Sequence, residues 1–253
     1  MDPVISSPEI APPTTQPVWQ KLAPTWHTVT LIVVVLLFSA LGAISQHPVA
    51  KSGGKIPQYA ITMAWEWLLF GFVMWGVRKS GTTLKNLIGG RWEHIEDFLL
   101  DAAIAVGFWF LSAAVLLAIA YAVGMTNPAR IREAQKQVEF LLPESGLEMT
   151  VAILLSITAG FCEEVIFRGY LQRQLGALAR NAWAGILLSG IAFGCAHGYE
   201  GWRRMIMIAV YGMLFGLLAH FRRSLRPGMM THALHDSAAM ILPHFLKGVK
   251  VFL

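Results

Sequence analysis

Charged residues are scarce in this sequence. Only 14% of its 253 residues are Asp, Glu, Lys or Arg, whereas a soluble globular chain carries about 25%. Too few charges are present to cover a water-facing surface, so a soluble enzyme, a disordered protein and a nucleic-acid-binding protein are disfavoured. Cysteine is also scarce, and two Cys residues do not build a disulfide framework.

Apolar residues fill the sequence instead. They make up 55% of the chain, and the mean hydropathy is +0.55. The net charge of +5 then indicates basic residues between membrane spans, where they set topology and contact lipid headgroups. We therefore expect an all-α, polytopic transmembrane helix bundle in the cell membrane, with lipids as partners and no nucleic acid.

Long apolar stretches give the number of spans. A transmembrane helix needs about 20 mostly apolar residues, and seven stretches meet or approach this length. They predict about seven spans (six to eight) at 28–45, 56–77, 98–125, 149–167, 181–199, 205–221 and 227–246. Residues 128–142 predict an amphipathic surface helix, and residues 168–180 predict either a second one or an extension of the fourth span.

The chain divides into four regions. Residues 1–26 are proline-rich, without hydrophobic periodicity or a basic n-region, and predict a flexible tail rather than a cleaved signal peptide. Residues 27–146 hold the N-terminal spans and the amphipathic linker. Residues 147–246 form a C-terminal transmembrane core, and 247–253 a short tail.

Small residues recur at one-turn spacing on two successive spans. Gly190 and Gly194 lie on the fifth span, and Gly212 and Gly216 on the sixth. This pattern permits close helix approach in a membrane bundle, but chance explains it equally well in a chain with 23 glycines.

Polar residues inside membrane spans usually mark functional sites, because charges there are costly. In the fourth span, Glu164 and Arg168 are four residues apart and can pair on one helix face. Glu163 points about 100° away from Glu164, so it is free to face the bundle interior. There it is a candidate general base. The alternative is a Glu–Arg clamp that only anchors the helix end.

Two further clusters contain histidine. Phe193 and His197 share a face of the fifth span, although a lone histidine near a span end is more often a packed or interfacial residue. His232 and Asp236 are one turn apart in the seventh span, where a carboxylate can orient an imidazole or the pair can line a water-filled vestibule.

Two other intramembrane acids stand alone in the sequence. Glu66 and Asp101 are each the only charged residue in their apolar stretches. We interpret both as structural or interfacial.

Three polar motifs follow one another along the C-terminal half: Glu163-Glu164-x-x-x-Arg168, Phe193-x-x-x-His197 and His232-x-x-x-Asp236. In this order they resemble the three motifs of the CAAX-protease and bacteriocin-processing family, also called the Abi family. These proteins are intramembrane endopeptidases related to the type II CAAX prenyl endopeptidases. The resemblance covers about residues 147–241, and Asp236 stands where the family commonly has Asn.

The resemblance implies a role for each motif residue. Glu163 and His197 would activate a water for attack on a peptide carbonyl, and His232 and Asp236 would stabilise the oxyanion. The supporting residues would be Glu164, Arg168 and Phe193. A metal-dependent alternative places a divalent metal such as Zn²⁺ on Glu163, His197, His232 and Asp236; the metal-free glutamate mechanism fits equally well and is slightly favoured.

This chemistry demands that the motifs meet at one water-accessible cavity. In a plain seven-span drawing, Glu163 and His232 lie on one side of the membrane and His197 lies on the other. We therefore predict that residues 168–180 return into the membrane, or that the fifth span is shallow and does not cross the full membrane.

Three functions compete. The first is an endopeptidase that cuts a peptide or a lipid-anchored protein near the membrane surface. The second is a non-catalytic immunity or scaffold protein of the same fold, and the third is a proton-coupled transporter that uses Glu163 and Asp236. The intact motif residues favour the first function.

Overall fold

A computed structural model describes residues 19–44 and 55–245. The tail predicted at 247–253, and residues 1–18 of the tail predicted at 1–26, lie outside the described residues. The described part of the chain contains a π-helical segment, Glu164–Gln172, and these α-helices: α1 (Thr25–Ile44), α2 (Ile56–Arg78), α3 (Leu84–Ile88), α4 (Ile95–Ala122), α5 (Pro128–Val138), α6 (Gly146–Glu163), α7 (Arg173–Ala179), α8 (Ala182–Ala196), α9 (Trp202–Arg222) and α10 (Arg226–Phe245).

The predicted all-α polytopic bundle is confirmed. Within the described ranges, five helical stretches are long and apolar enough to cross a membrane: Thr25–Ala43, Ile56–Arg78, Ile95–Ala122, Gly146–Ala179 and Trp202–Arg222. Large apolar side chains such as Leu41 on α1 and Phe110 on α4, each 63% exposed, give these helices outer faces that suit lipid.

The two remaining predicted spans differ from a simple crossing. Helix α8 has only 15 residues, which at about 1.5 Å per residue is shorter than the ~30 Å hydrocarbon layer. Helix α10 has 20 residues but is less apolar than these five stretches and is not among them. The prediction that the fifth span is shallow therefore agrees with the structure.

A single long helix, Gly146–Ala179, forms the centre of the C-terminal half. It begins at Ser145 with a capping box, in which the Ser145 side chain accepts from the Glu148 backbone N–H. Residues 168–180 largely continue this helix, so they form an extension of the fourth span and not a surface helix. Every residue of the π segment is buried, and its polar side chains Arg168 and Gln172 donate to backbone carbonyls of α9.

Helices α8 and α9 pack through their glycines. An added Cβ at Gly194 would lie 2.5 Å from the Met205 carbonyl oxygen, and one at Gly190 would lie 3.0 Å from that of Ala209. Gly212 faces back toward the Gly190 Cα. The small residues therefore do permit close backbone approach, and the packing interpretation of the two motifs is confirmed.

Helix α1 is joined to the long helix by a buried chain of polar groups. The His27 ring bonds the Phe72 carbonyl through Nε2 and the Tyr170 hydroxyl through Nδ1. The Tyr170 hydroxyl also bonds Thr28, which in turn accepts from Gln174. Buried polar groups are stable when each has a partner, so this network fixes α1 against the C-terminal half.

Asp101 joins three helices and is not isolated. It is fully buried on α4 and pairs with Arg222 of α9 at 2.9 Å and with Arg226 of α10 at 3.0 Å. Trp92 Nε1 also donates to Asp101 Oδ2 at 2.8 Å. The interpretation of Asp101 as a lone charge is therefore wrong, while its structural role is supported by these contacts.

Replacing Asp101→Asn should lower the free energy of unfolding by about 3 kcal/mol, because it removes the charge that two arginines share. Thermal unfolding in detergent measures the effect. The control is Glu96→Gln on the exposed first turn of the same helix, which should change little. Equal stability of the two variants would contradict the clamp.

Candidate functional site

Glu164 is the most deeply buried acid of the first motif. Its side chain is 1% exposed and its Oε1 lies 2.9 Å from Nη1 of Arg168, which is 2% exposed. The ion pair expected from their spacing is therefore present. At this distance the contact is electrostatic rather than an aligned hydrogen bond, since Nη1 makes no hydrogen bond of its own.

Aromatic rings enclose the Arg168 guanidinium. Its central carbon lies 4.2 Å from the Phe193 ring centroid and 5.2 Å from that of Phe215, distances typical of cation–π contacts. Arg168 Nη2 also donates to the Gly212 carbonyl at 3.3 Å. Phe193, predicted as a supporting residue, thus packs on the cation that holds Glu164.

His232 contacts all three carboxylates of the first and third motifs. Its Nδ1 donates to Glu164 Oε1 at 3.1 Å. On the other edge of the ring, Nε2 lies 3.6 Å from Glu163 Oε2 and 3.6 Å from Asp236 Oδ2. An imidazolium with a donor on each nitrogen suits this arrangement.

A glycine makes this meeting of α6 and α10 possible. An added Cβ at Gly160 would lie 2.8 Å from the Met229 carbonyl oxygen and 2.9 Å from the Ala233 nitrogen. The two backbones are therefore in direct contact one turn before Glu163. This close approach brings Glu163 and Glu164 to the level of His232.

His197 follows the end of α8, where its ring is oriented by the backbone. Its Nδ1 bonds the Phe193 carbonyl at 2.9 Å, and because a carbonyl only accepts, Nδ1 carries the proton. In the neutral ring, Nε2 is then the acceptor. Ser39 of α1 fixes this turn, since it donates to the Cys195 carbonyl and accepts from the Gly198 N–H.

The length of the helices returns His197 toward the depth of Glu163. The nine residues of the π segment and the seven of α7 lead away from Glu163, and the 15 residues of α8 lead back. At about 1.5 Å per residue, the two legs are nearly equal. The Phe193 ring centroid lies 4.9 Å from that of His197 and 6.0 Å from that of His232, so Phe193 packs near both histidines.

Accessibility separates the two adjacent glutamates. The Glu163 side chain is 18% exposed and that of Asp236 is 29% exposed, against 1% for Glu164. The side of His232 that bears Nε2 therefore faces the two accessible carboxylates, while Nδ1 faces the buried one.

The predicted metal ligands do not form a metal-binding group in this arrangement. Among the described residues, which include Glu163, His197, His232 and Asp236, no three or more His, Cys, Asp or Glu side chains are placed to hold one ion. We therefore derive no step that involves a metal.

Residues outside the three motifs also surround the site. Glu66 on α2 is buried and lies within electrostatic range of Glu163 and Asp236. Its Oε2 has no hydrogen-bond partner among the residues that the structure describes. Its interpretation as an isolated charge is therefore wrong. Its sequence signal, a single acid in an apolar stretch, was visible, but the stretch did not show which face of α2 meets α6.

Two tyrosines near the site gave no sequence signal. The Tyr199 ring centroid lies 6.0 Å from that of His197, and burial together with Glu200 raises the pKa of Tyr199 well above its usual range. Tyr211 of α9 packs 4.9 Å from the His235 ring and 6.5 Å from the His232 ring, between centroids. Tyrosines are common in membrane helices and at their ends, so neither stands out in the sequence.

The fold and the site together define a class of protein. Helices that are long and apolar enough to cross a membrane surround a cluster of carboxylates and histidines, so this is a polytopic membrane protein with a polar cluster among its helices.

A comparison with protein families finds a match in this region. The family model described as "Type II CAAX prenyl endopeptidase Rce1-like" matches residues 145–238. This part of the chain is therefore similar to a family of proteases, and the resemblance predicted from the three motifs is confirmed. No curated protein and no solved structure matches the chain.

The two neighbouring glutamates should respond differently to the same substitution. Glu164→Gln should lower the free energy of unfolding by about 3 kcal/mol, since it leaves the buried Arg168 without its counter-charge. Glu163→Gln should stay within about 1 kcal/mol of the wild type, because its contacts are longer and partly exposed. Thermal unfolding of both variants in one detergent measures the difference, and an equal loss would contradict these assignments.

Proposed function

We propose that the protein is an intramembrane endopeptidase that hydrolyses a peptide bond near the membrane surface. The observation that supports this most is the group around His232, in which Glu163 and Asp236 lie 3.6 Å from one imidazole nitrogen. The similarity of residues 145–238 to a family of prenyl endopeptidases also supports the proposal.

Glu163 and His197 are the residues proposed to activate the water. A water molecule has two hydrogens, and a carboxylate and a neutral imidazole Nε2 are two acceptors that can orient it. With both hydrogens held, a lone pair of the water is free to attack the peptide carbonyl carbon. Glu163 takes one proton from the attacking water.

His232 and Asp236 are proposed to act on the carbonyl oxygen of the scissile bond. When the water oxygen bonds to the carbonyl carbon, the carbonyl oxygen becomes an oxyanion, which the Nε2–H of His232 stabilises. Asp236 holds this imidazolium in place. The C–N bond then breaks, the proton on Glu163 passes to the leaving amine, and the products are a carboxylic acid and an amine.

The proposed substrate is a peptide or a lipid-anchored protein, and the proposed location is the cell membrane. The exposed fractions of Glu163 and Asp236 support access from a water-filled part of the bundle. The competing hypotheses are a non-catalytic immunity or scaffold protein and a proton-coupled transporter.

Glu163→Gln should abolish cleavage, because a neutral amide cannot take the proton of the water. The measurement compares N- and C-terminal peptides from cells that express the wild type or the variant at matched levels. Peptide ends found only with the wild type would identify a protease and its substrates together.

The matched control is Glu133→Gln, which changes an exposed glutamate on α5 and should leave those ends unchanged. Identical peptide ends in all three strains, with folded protein in each, would contradict the proposal and favour a scaffold. A transport activity that loses its pH coupling in Glu163→Gln would favour the transporter.

Removal of divalent metals should leave the peptidase active. The proposed steps use only side chains of this chain, and the four motif residues do not form a ligand group. The purified protein would be treated with a strong chelator, desalted, and assayed with its metal content measured in parallel. Loss of cleavage that Zn²⁺ restores stoichiometrically would establish the metal-dependent alternative instead.

A further inference from the structure

The Tyr211 hydroxyl lies in a buried place, where polar groups are normally paired. The residue is 6% exposed, and within the described part of the chain its hydroxyl is buried without a hydrogen bond. Most buried polar groups in proteins are paired. An unpartnered buried hydroxyl therefore suggests a ligand that is present only during function.

Other buried tyrosines of the chain follow the usual rule. The Tyr59 hydroxyl donates to the Leu141 carbonyl at 2.6 Å. The Tyr170 hydroxyl lies 2.9 Å from His27 Nδ1 and 2.9 Å from the Thr28 hydroxyl. Both hydroxyls join segments of the fold, whereas that of Tyr211 does not.

The surroundings of Tyr211 place it beside the candidate site. Its ring lies 6.5 Å from that of His232 and 4.5 Å from that of Phe215, measured between centroids. Its hydroxyl is within electrostatic range of Asp236 and Glu164. Two donors to one oxygen atom must lie close together, and the rings of Tyr211 and His232 are neighbours.

The site is rich in acceptors and poor in donors. The carboxylates of Glu163 and Asp236 only accept, and a neutral His197 offers the acceptor Nε2. An oxyanion needs preorganised donors. Among the described residues, the Tyr211 hydroxyl is a buried donor beside these groups that makes no hydrogen bond.

We propose that Tyr211 is a catalytic residue whose hydroxyl donates a hydrogen bond to the carbonyl oxygen of the scissile peptide bond. It keeps its proton throughout, and the hydrogen bond strengthens as the carbonyl oxygen becomes the oxyanion. This inference rests on the proposed peptidase activity and adds a second oxyanion donor, on α9, to His232 on α10.

Tyr211→Phe tests the proposal because it removes only the unpartnered hydroxyl. We expect kcat for a peptide that spans an identified cleavage site to fall about 10²–10³-fold, with little change in KM. The melting temperature should not fall, since no protein hydrogen bond is lost. Affinity for a phosphinate analogue of the same peptide, which imitates the tetrahedral oxyanion, should weaken by a similar factor.

Tyr170→Phe is the matched control. It also removes one buried tyrosine hydroxyl, but that hydroxyl joins α1 to the long helix. Tyr170→Phe should lower the melting temperature and leave kcat of the folded protein unchanged. The two variants thus separate a catalytic hydroxyl from a structural one.

Each contrary result has a distinct meaning. If the wild type cleaves its peptide and folded Tyr211→Phe cleaves it at the same kcat, the inference is overturned and the peptidase stands. A melting temperature that falls as far as in Tyr170→Phe, or a Tyr211→Phe protein that does not fold, shows a structural hydroxyl and also overturns it. If the wild type cleaves nothing while folded, the peptidase and the inference fail together.

Discussion

The buried Glu164 carboxylate is the constraint on which the rest of the site depends. With 1% of its side chain exposed, it needs compensating partners, because an uncompensated buried charge costs several kcal/mol. Arg168 supplies one from the same helix and His232 supplies the other from α10. The π segment, the Phe193 ring and the close approach at Gly160 all serve to bring these partners together.

The same interaction places two adjacent glutamates in different surroundings. Glu164 uses its charge to hold Arg168 and the Nδ1 side of His232. Glu163 lies on the other edge of that imidazole, at a longer distance and with more exposure. Two carboxylates in different environments can thus take a structural and a catalytic role, as environment rather than residue type decides the function of an acid.

Much of this arrangement could be predicted from sequence because the signals are local. The spacing of Glu164 and Arg168 gave their ion pair, and the apolar stretches gave the helices. The partners of Asp101 and Glu66 could not be predicted, because they come from helices far away in the chain. The sequence of an apolar span also does not show which side of the helix contacts which neighbour. Tyr211 could not be singled out either, because a missing partner is a property of the folded bundle.

In the proposed mechanism, Glu163 and His197 hold one water beside the substrate. A structure of the Glu163→Gln variant in lipid nanodiscs, with an uncleaved peptide bound, tests this most directly. We expect a water within hydrogen-bond reach of residue 163 and of His197 Nε2, next to the scissile carbonyl. A separation of more than about 10 Å between the two side chains with peptide bound would contradict it, because acid–base partners act directly or through one water.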